Sequence, residues 1–298
     1  MIAASARLWQ EAPLAGRTSG GRLTLREGPI FLVLDLAGAA DQVAAAERAA
    51  CRAFTGLLSS LSQELPALRT PAGPGAPPLT GAVARAMAGA VAPFAPAFIT
   101  PMAAVAGAVA DHVLSAIRAE STLTRAAVNN GGDIALHLGG EARYAIGIHD
   151  GRPEGGIVGT VGLAAGDGIG GIATSGWRGR SHSLGIADAV TVLARTAAGA
   201  DAAATMIANA VDLPGTSGVT RAPARSLSPD SDLGDRLVTV DVAPLAPRDR
   251  AQALDSGLAL AESCRHRGLI AAAFLCLQGE VRATGGSDRL FDDREGTP

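Results

Sequence analysis

Apolar residues alternate with polar ones, or form short unbroken runs, along much of the chain, a pattern typical of β-strands. Leu23 and Leu25 alternate with polar neighbours before the Gly28-Pro29 turn, and the apolar run 30–36 follows that turn. These two segments are predicted to form a strand pair that opens a sheet. Further strands are predicted at 125–129, 133–138, 143–149, 157–163, 185–193, 237–242 and 269–277, with 143–149 and 157–163 continuing the sheet.

Four stretches carry apolar residues at helical spacing instead. One begins at Val43, behind Asp41 as its predicted cap, and runs to Leu65, where Pro66 stops the pattern. The others are 103–118, 201–211 and 248–267, the last of which is ended by Gly268. Helices interspersed with strands predict an α/β protein of the α+β type, with mixed sheets packed by helices.

Three segments break these patterns, and a fourth is unusual in carrying no charge. The proline-rich segment 66–78 is predicted to be an irregular connection, and the best internal boundary in a single domain, 1–298. The polar segment 214–235 is predicted to be a mobile loop, and the charged end, 288–298, a frayed tail. The uncharged stretch 86–110 is long enough to cross a membrane, but its three prolines and many alanines favour two buried helices separated by a proline-rich turn.

Composition narrows the function classes. The chain has 298 residues, of which 48% are hydrophobic and 18% charged, and a net charge of −3, so it lacks the basic footprint of a nucleic-acid binder and a polybasic membrane patch. The chain contains no lysine, which excludes a Schiff-base lysine, a Walker P-loop and a kinase lysine. Scattered Cys51, Cys264 and Cys276 fit free thiols in a reducing compartment, and residues 1–17 lack the core of a secretory signal. We therefore expect a cytoplasmic protein.

The densest candidate ligand segment is the glycine-rich run 166–176. Its glycines let the backbone approach a ligand, and Thr174, Ser175 and exposed amides could hold a phosphate. Gly166, Gly168 and Gly171 formally match GxGxxG, but no helix opening follows, which argues against a dinucleotide-binding Rossmann site. A glycine-rich turn between strands explains the run equally well.

Asp201, Thr205 and Asn209 recur every fourth residue on a predicted helix whose other positions are mostly apolar. Their side chains therefore share one helix face. Carboxylate and hydroxyl oxygens one turn apart suit Mg²⁺, which takes few protein ligands and completes its shell with water and phosphate. The alternative is that Asp201 caps the helix and Thr205 bonds back to its backbone.

The run 129–133 and His182 complete the candidates. Asn-Asn-Gly-Gly-Asp places polar side chains at a strand end, where a ring system or phosphate could be held, although the same string is also an ordinary turn. His182 lies between two serines, after Arg178 and Arg180, and is the histidine expected to face a polar site. No histidine has zinc-ligand spacing, and no GxSxG nucleophile elbow is present.

Four segments, in order, resemble the motifs of the ApbE family, the FAD:protein FMN transferases. They are Asn129-Asn-Gly-Gly-Asp133, Ile172-Ala-Thr-Ser-Gly176, Ala187-Asp-Ala-Val-Thr-Val192 and Ala200-Asp-Ala-Ala-Ala-Thr205. The stretch from Ala106-Gly107 to Asp111 resembles that family's helix ahead of the Gly-Gly-Asp turn. The whole chain resembles more closely a cytoplasmic ApbE-like group, uncharacterised protein family 0280.

The resemblance implies an ApbE-like fold, related to pterin- and purine-binding T-folds, and a site with assigned residues. Asp201 and Thr205 inherit the Mg²⁺ role, and His182, near phosphate, is the candidate catalytic residue. The implied reaction passes FMN from FAD to a Thr or Ser of a target protein, with AMP leaving. The expected partners are a flavin or nucleotide and a protein acceptor. Neither a nucleic acid nor a membrane is expected as a partner, and a homodimer is left open. The candidate cofactor-binding residues are Asn130, Gly131, Gly132, Asp133, Thr174, Ser175 and Gly176.

Two departures from the family pattern keep a second function open. Ala106 stands where the transferases usually carry Lys, and the Asp-Pro-x-Thr-Gly element expected after the histidine is missing, because Leu184-Gly-Ile runs directly into the next strand. The alternatives are therefore a Mg²⁺-dependent flavin transferase and a non-catalytic protein that binds a flavin, a pterin or a related nucleotide, or serves one-carbon or redox cofactor metabolism. A structural or assembly protein is the third.

Overall fold

The structure, a computed structural model, describes residues 13–152, 154–285 and 290–291. Its residues cluster into two compact units. Unit 1 contains the chain up to Ala142 together with 170–172 and 196–198, and unit 2 contains 143–169, 173–195 and the chain from Gly199. The proline-rich segment 66–78 lies inside unit 1, and the single-domain assignment stays a prediction. The predicted frayed tail, 288–298, lies outside the described residues except for 290–291.

Unit 1 is built on antiparallel strands in the order β1 to β5. They are β1 (Leu14–Arg17), β2 (Leu23–Glu27), β3 (Ile30–Ala37), β4 (Arg125–Asn130) and β5 (Asp133–Leu138). Alternate residues of β2 and β3, such as Leu25 and Leu32, are buried, so the predicted opening strand pair is confirmed. Gly171 and Ile172 add to this unit by pairing with Ala135 and Ile134 of β5.

Helices cover the sheet of unit 1. They are α1 (Ala40–Phe54), α2 (Leu57–Gln63), α3 (Leu65–Leu68), α4 (Ala82–Val91) and α5 (Val105–Glu120). The single predicted helix 43–65 is wrong, because Gly56 adopts a left-handed φ of 77° and divides it into α1 and α2. Asp41 lies in the first turn of α1, whose N-cap is Ala39, so it is not the cap. Helix α5 packs against α1, β4 and β5.

The uncharged stretch forms two helices, as predicted. Helices α4 and α5 are separated by 3₁₀ turns at Ala92–Phe94 and Pro101–Ala104. Among the described residues, the helical stretch Pro101–Glu120 is long and apolar enough to cross a membrane by length and composition, and 44% of its most apolar window is buried. The core helix of a globular unit meets the same criteria.

Unit 2 contains three strand groups and the remaining helices, except that the first two residues of one strand, 171–172, and the first two of one helix, 197–198, belong to unit 1. The strands are β6 (Arg143–His149), β7 (Ile157–Ala164), β8 (Gly171–Ser175), β9 (Ala189–Ala194), β10 (Val219–Pro223), β11 (Leu237–Val242), β12 (Ala272–Leu277), β13 (Glu280–Thr284) and β14 (Leu290–Phe291). The helices are α6 (Ala197–Ala210), α7 (Ala224–Leu227) and α8 (Pro247–His266). Every residue of β9 and β12 is buried, and α8 packs on β12 and β13.

The strand pairing of unit 2 corrects two predictions. The groups are β8-β9-β12-β13, β14-β7-β6 and β10-β11, so β6 and β7 form a sheet of their own rather than continuing the first one. Alternation along a strand identifies its buried face but not its neighbour. The predicted loop 214–235 contains β10 and α7 and is therefore not a loop throughout. The α+β class, with antiparallel sheets packed by helices, is confirmed.

Candidate functional site

The first two residues of α6, Ala197 and Ala198, belong to unit 1, and we call the unit 1 residues that hold them the seat of α6. The backbone N–H groups of Ala197 and Ala198 donate to the two carboxylate oxygens of Asp111, at 3.0 and 2.9 Å. These are donors that a helix N-terminus otherwise leaves unpaired. Burial raises the pKa of Asp111, and this outweighs the two hydrogen bonds, which lower it. Because α6 begins at Ala197, Asp111 caps it, and the alternative that Asp201 is the cap is wrong.

Two glycines allow the backbone to pack closely against the first turn of α6. A Cβ atom on Gly107 of α5 would lie 2.3 Å from the carbonyl oxygen of Ala197, and one on Gly171 would lie 2.0 Å from the carbonyl carbon of Thr196. Real Cβ atoms do not approach other atoms so closely. The motif glycines at these positions therefore serve backbone packing around the first turn of α6.

Asp201 and Thr205 lie one turn apart on α6 and are both half-buried. The intervening residues, 202–204, are fully buried alanines, so the two polar side chains border a buried, apolar part of the helix. Asn209, the third member of the predicted stripe, accepts hydrogen bonds from the Ser183 hydroxyl (3.2 Å) and the Leu184 N–H (2.9 Å). Asn209 thus fixes the segment that precedes β9, which leaves Asp201 and Thr205 as the candidate metal ligands of the stripe.

The donor set at Asp201 and Thr205 fits one kind of metal site. Among the described residues, no group of three or more His, Cys, Asp or Glu side chains could hold a metal ion. A site supplied by one carboxylate and one hydroxyl suits a hard cation that keeps water and ligand phosphate oxygens in its shell, as Mg²⁺ does. It does not suit zinc or an all-protein calcium cage.

The run 129–133 forms the tight turn between β4 and β5. Gly131 and Gly132 adopt φ values of 69° and 116°, the region that two-residue hairpins of this kind require. The Asn129 side-chain oxygen accepts the Gly132 N–H at 2.9 Å, and the Asn130 amide donates to the Ala106 carbonyl oxygen at 3.1 Å. The turn interpretation is confirmed, and the cofactor role of Asn130–Asp133 stays a prediction.

The glycine-rich run leads into a strand. Gly171 opens β8 directly, so the rejection of a Rossmann site is confirmed. The hydroxyls of Thr174 and Thr191 lie 2.8 Å apart, and Ser175 is half-buried. A Cβ on Gly176 would lie 2.2 Å from the Asp188 carbonyl oxygen, which gives this glycine a packing role. Ligand contacts by these three residues remain predictions.

A buried carboxylate, Asp188, organises the segment after β8. Its Oδ1 accepts the Trp177 indole N–H (3.1 Å) and the Arg178 Nε–H (2.9 Å), and its Oδ2 accepts the Gln278 backbone N–H (2.6 Å). The Arg178 guanidinium lies 4.2 Å above the Trp177 ring centroid, within cation–π distance. We call Trp177, Arg178, Asp188 and Gln278 the Asp188 cluster.

A second buried carboxylate, Asp150, lies beside the cluster. Its Oδ2 accepts two hydrogen bonds from the Arg152 guanidinium, at 2.8 and 2.6 Å. Burial opposes ionisation of Asp150, but the bonds and charge of Arg152 outweigh it and lower its pKa. Burial, with the charges of Asp150 and Asp188, raises the pKa of Cys276 to about 12. That thiol stays protonated near neutral pH and is not a nucleophile.

His182, the predicted catalytic residue, is half-buried with its Nε2 3.2 Å from the Ser228 hydroxyl oxygen. The segment that follows it is closed against α6. The Ile186 N–H donates to the Val211 carbonyl oxygen (2.8 Å), and a Cβ on Gly185 would lie 2.1 Å from the Ala208 carbonyl oxygen. The backbone at Gly185 and Ile186 is thus packed closely against the C-terminal end of α6, and the catalytic role of His182 stays a prediction.

Two carboxylates with specific roles were not singled out by the sequence pattern. Asp111 bonds to residues 86 and 87 positions away, and Asp188 bonds to Gln278, 90 positions away. Each lies within a segment that resembles a family motif, which was the one available signal. Partners at such distances in sequence cannot be identified from local spacing.

The family described as AbpE bacteria matches residues 14–283. A UPF0280 protein of Methanopyrus kandleri is 41% identical over 128 residues, which are 43% of this chain and 48% of that protein. A UPF0280 protein of Methanothrix thermoacetophila is 38% identical over 124 residues, 38% of this chain and 46% of that protein. The chain therefore spans about half the length of the curated relatives it matches.

Two solved structures are also similar. The flavinyl transferase ApbE of Pseudomonas stutzeri, in its apo form, has 15% identity and a TM-score of 0.44, covering 95% of this chain and 99% of that one. The flavin transferase ApbE of Vibrio cholerae has 14% identity and a TM-score of 0.35, covering 93% of this chain and 98% of that one. Since the family model spans nearly all of the described residues, the chain belongs to the ApbE-like family described as AbpE bacteria.

Proposed function

We propose that this protein binds a flavin nucleotide, FAD or FMN, together with Mg²⁺ held by Asp201 and Thr205. The observation that carries the proposal is the pair of hard oxygen donors on α6, half-buried, one turn apart and beside a wholly apolar stretch. Membership of the ApbE-like family supports the flavin. The metal would neutralise charge on the nucleotide phosphates and stabilise the leaving group if transfer occurs.

The chain's own residues would do the remaining work. Asp111, Gly107 and Gly171 hold the first turn of α6 in place. Thr174, Ser175 and Gly176 are proposed to lie near the phosphates, and His182 to hold or accept a proton there. In a transfer reaction, the acceptor hydroxyl would form a phosphoester bond to FMN, the pyrophosphate bond would break, and AMP would leave.

A non-catalytic flavin- or pterin-binding protein is the second candidate, and two observations favour it. Ala106 offers only a methyl group where the transferases usually carry Lys, and its carbonyl oxygen is occupied by Asn130. The segment 184–187, where the Asp-Pro-x-Thr-Gly element would be expected, is packed against α6. Both observations weaken the transfer chemistry without affecting Asp201 or Thr205.

The test is a titration of purified protein with FAD, FMN and a reduced pterin, with and without Mg²⁺, following heat and AMP release. Mg²⁺-dependent FAD binding with AMP release supports the transferase, and binding without cleavage supports the second candidate. Asp201→Ala should weaken Mg²⁺-dependent FAD binding by at least about tenfold, because it removes the charged oxygen ligand of the metal.

Asp255→Ala is the matched control, because it removes an exposed carboxylate from a different helix, α8. It should leave binding within about twofold, as expected for an exposed charge. Equal losses in both variants, or binding of none of the three ligands, would refute the proposal.

A further inference from the structure

The segment between β8 and β9, 176–188, carries three basic side chains, Arg178, Arg180 and His182, and one carboxylate, Asp188, whose side chain is only 1% exposed. Thr174, Ser175 and two further serines add hydroxyl groups. A stretch of this composition attracts anions, and its hydroxyls and N–H groups can bond to them.

Arg178 differs from its neighbour Arg180 in being held on two sides. Its Nε–H donates to Asp188, whose side chain is only 1% exposed, and its guanidinium plane lies over the Trp177 ring. The indole N–H donates to the same carboxylate oxygen, so ring and guanidinium are fixed by one anchor. A guanidinium fixed in this way loses little further conformational freedom when it binds a ligand.

The held guanidinium keeps its outer edge available. Within the described residues, the Nε of Arg178 makes the one hydrogen bond of this group, and the side chain is 31% exposed. The two terminal nitrogens form a planar fork that matches two oxygens of a phosphate. Asp188 offsets one positive charge, so selectivity would come from the fork geometry more than from net charge.

We propose that Arg178, stacked on Trp177 and anchored by Asp188, is a subsite for a phosphoryl anion, the pyrophosphate or phosphate ester of a nucleotide. The identity of the natural ligand rests on the proposed function, whereas anion binding itself is tested apart from it. Asp188 and Trp177 are positioning residues, since they act through Arg178. The neighbouring ion pair, between Arg152 and the buried Asp150, is internally neutral.

The test uses inorganic pyrophosphate as the probe, without flavin or Mg²⁺ and at constant ionic strength. Trp9 and Trp177 are the chain's two tryptophans, so Trp9→Phe makes the protein's indole fluorescence report on Trp177. We expect saturable binding by heat and by fluorescence. Arg178→Gln should weaken it by at least about tenfold, and Arg178→Lys by less, because Lys keeps the charge and loses the fork.

Arg180→Gln is the control for general charge attraction, because it removes the same charge two residues away. It should change the Kd by no more than about twofold. Asp188→Asn should weaken pyrophosphate binding while circular dichroism shows the fold retained. Equal losses in the Arg178 and Arg180 variants, an unchanged Kd in Arg178→Gln, or neither heat nor fluorescence change would overturn the subsite.

The subsite and the proposed function can fail separately. Asp201→Ala should keep its affinity for pyrophosphate even where Mg²⁺-dependent FAD binding is lost. Pyrophosphate binding that depends on Arg178, with no binding of any flavin, would refute the proposed function and leave the subsite standing. Mg²⁺-dependent FAD binding with pyrophosphate binding insensitive to Arg178→Gln would refute the subsite alone.

Discussion

Replacing Gly107 with alanine tests the seat of α6 most directly. By helix propensity alone, alanine should stabilise a helix by about 0.5–1 kcal/mol over glycine. At Gly107, however, the new methyl carbon would meet the Ala197 carbonyl oxygen at 2.3 Å, its carbonyl carbon at 2.4 Å and the Ala198 nitrogen at 2.6 Å. All three are backbone atoms, so no side-chain rotation relieves the clash.

The magnitude follows from how far the backbone must move. Ordinary contact begins near 3.4 Å, so the first turn of α6 must move away by about 1 Å, which overpacking data put at about 1–3 kcal/mol. Movement of that size also weakens the two hydrogen bonds to Asp111, each contributing about 1 kcal/mol. We expect Gly107→Ala to lower the free energy of unfolding by about 2–4 kcal/mol.

The matched control is Gly89→Ala on α4, where a Cβ would meet nothing within 4 Å. It should raise stability by about 0.5–1 kcal/mol, so the two Gly-to-Ala changes should have opposite signs. Urea unfolding at 25 °C, followed by circular dichroism and compared at constant m-value, measures both. A gain of the same size in both variants would refute the close approach of α5 to the first turn of α6.

Three further predictions concern buried titratable groups. Because burial raises the pKa of Asp111, the folded state binds its proton more tightly than the unfolded chain. That stabilisation is complete below the pKa of Asp111 in the unfolded chain and is lost as pH rises through its pKa in the folded state. The free energy of unfolding of the natural protein, relative to that of Asp111→Asn, should therefore fall over this pH range. Urea titrations at several pH values measure the difference. Asp188→Asn replaces a carboxylate oxygen facing the Gln278 N–H by part of an amide and should lower the free energy of unfolding by about 2 kcal/mol in the same assay. Asp235, whose side chain is 70% exposed, provides the control, and Asp235→Asn should change that free energy by no more than about 0.5 kcal/mol. Similar losses in the two variants would refute the anchoring role of Asp188. Native-state alkylation at pH 8, read by mass spectrometry, should modify half-buried Cys51 before Cys276, whose pKa is about 12, and the reverse order would contradict its burial.

The strands and helices could largely be predicted from the sequence, because burial alternates or repeats along each element. The hairpin at Asn130–Asp133 and the strands around it depend on glycines and on local pattern, and they were predicted correctly. The break at Gly56 was missed, since its flanking apolar residues keep helical spacing on both sides. The separate sheet of β6 and β7 was missed because strand partners are not encoded locally.

The candidate site shows the same division. Asp201 and Thr205 could be singled out as candidate ligands because both lie on one helix and their spacing is periodic, and their metal role stays a prediction. Asp111 and Asp188 have hydrogen-bond partners far away in the sequence. Their capping and anchoring roles can therefore be seen only in the folded structure. The sequence therefore indicated where oxygen donors repeat, but not which carboxylates cap α6 or bind the backbone of Gln278.

Two glycines lie close to the carbonyl oxygen of Asp188. A Cβ atom added to Gly151 or Gly176 would lie 2.3 or 2.2 Å from that oxygen. In a saturation mutagenesis library selected only for folding, both positions should return glycine whatever molecule the protein binds. The glycine of the Thr-Ser-Gly motif would then survive a change of ligand or a loss of catalysis, and its presence cannot distinguish a transferase from a binding protein.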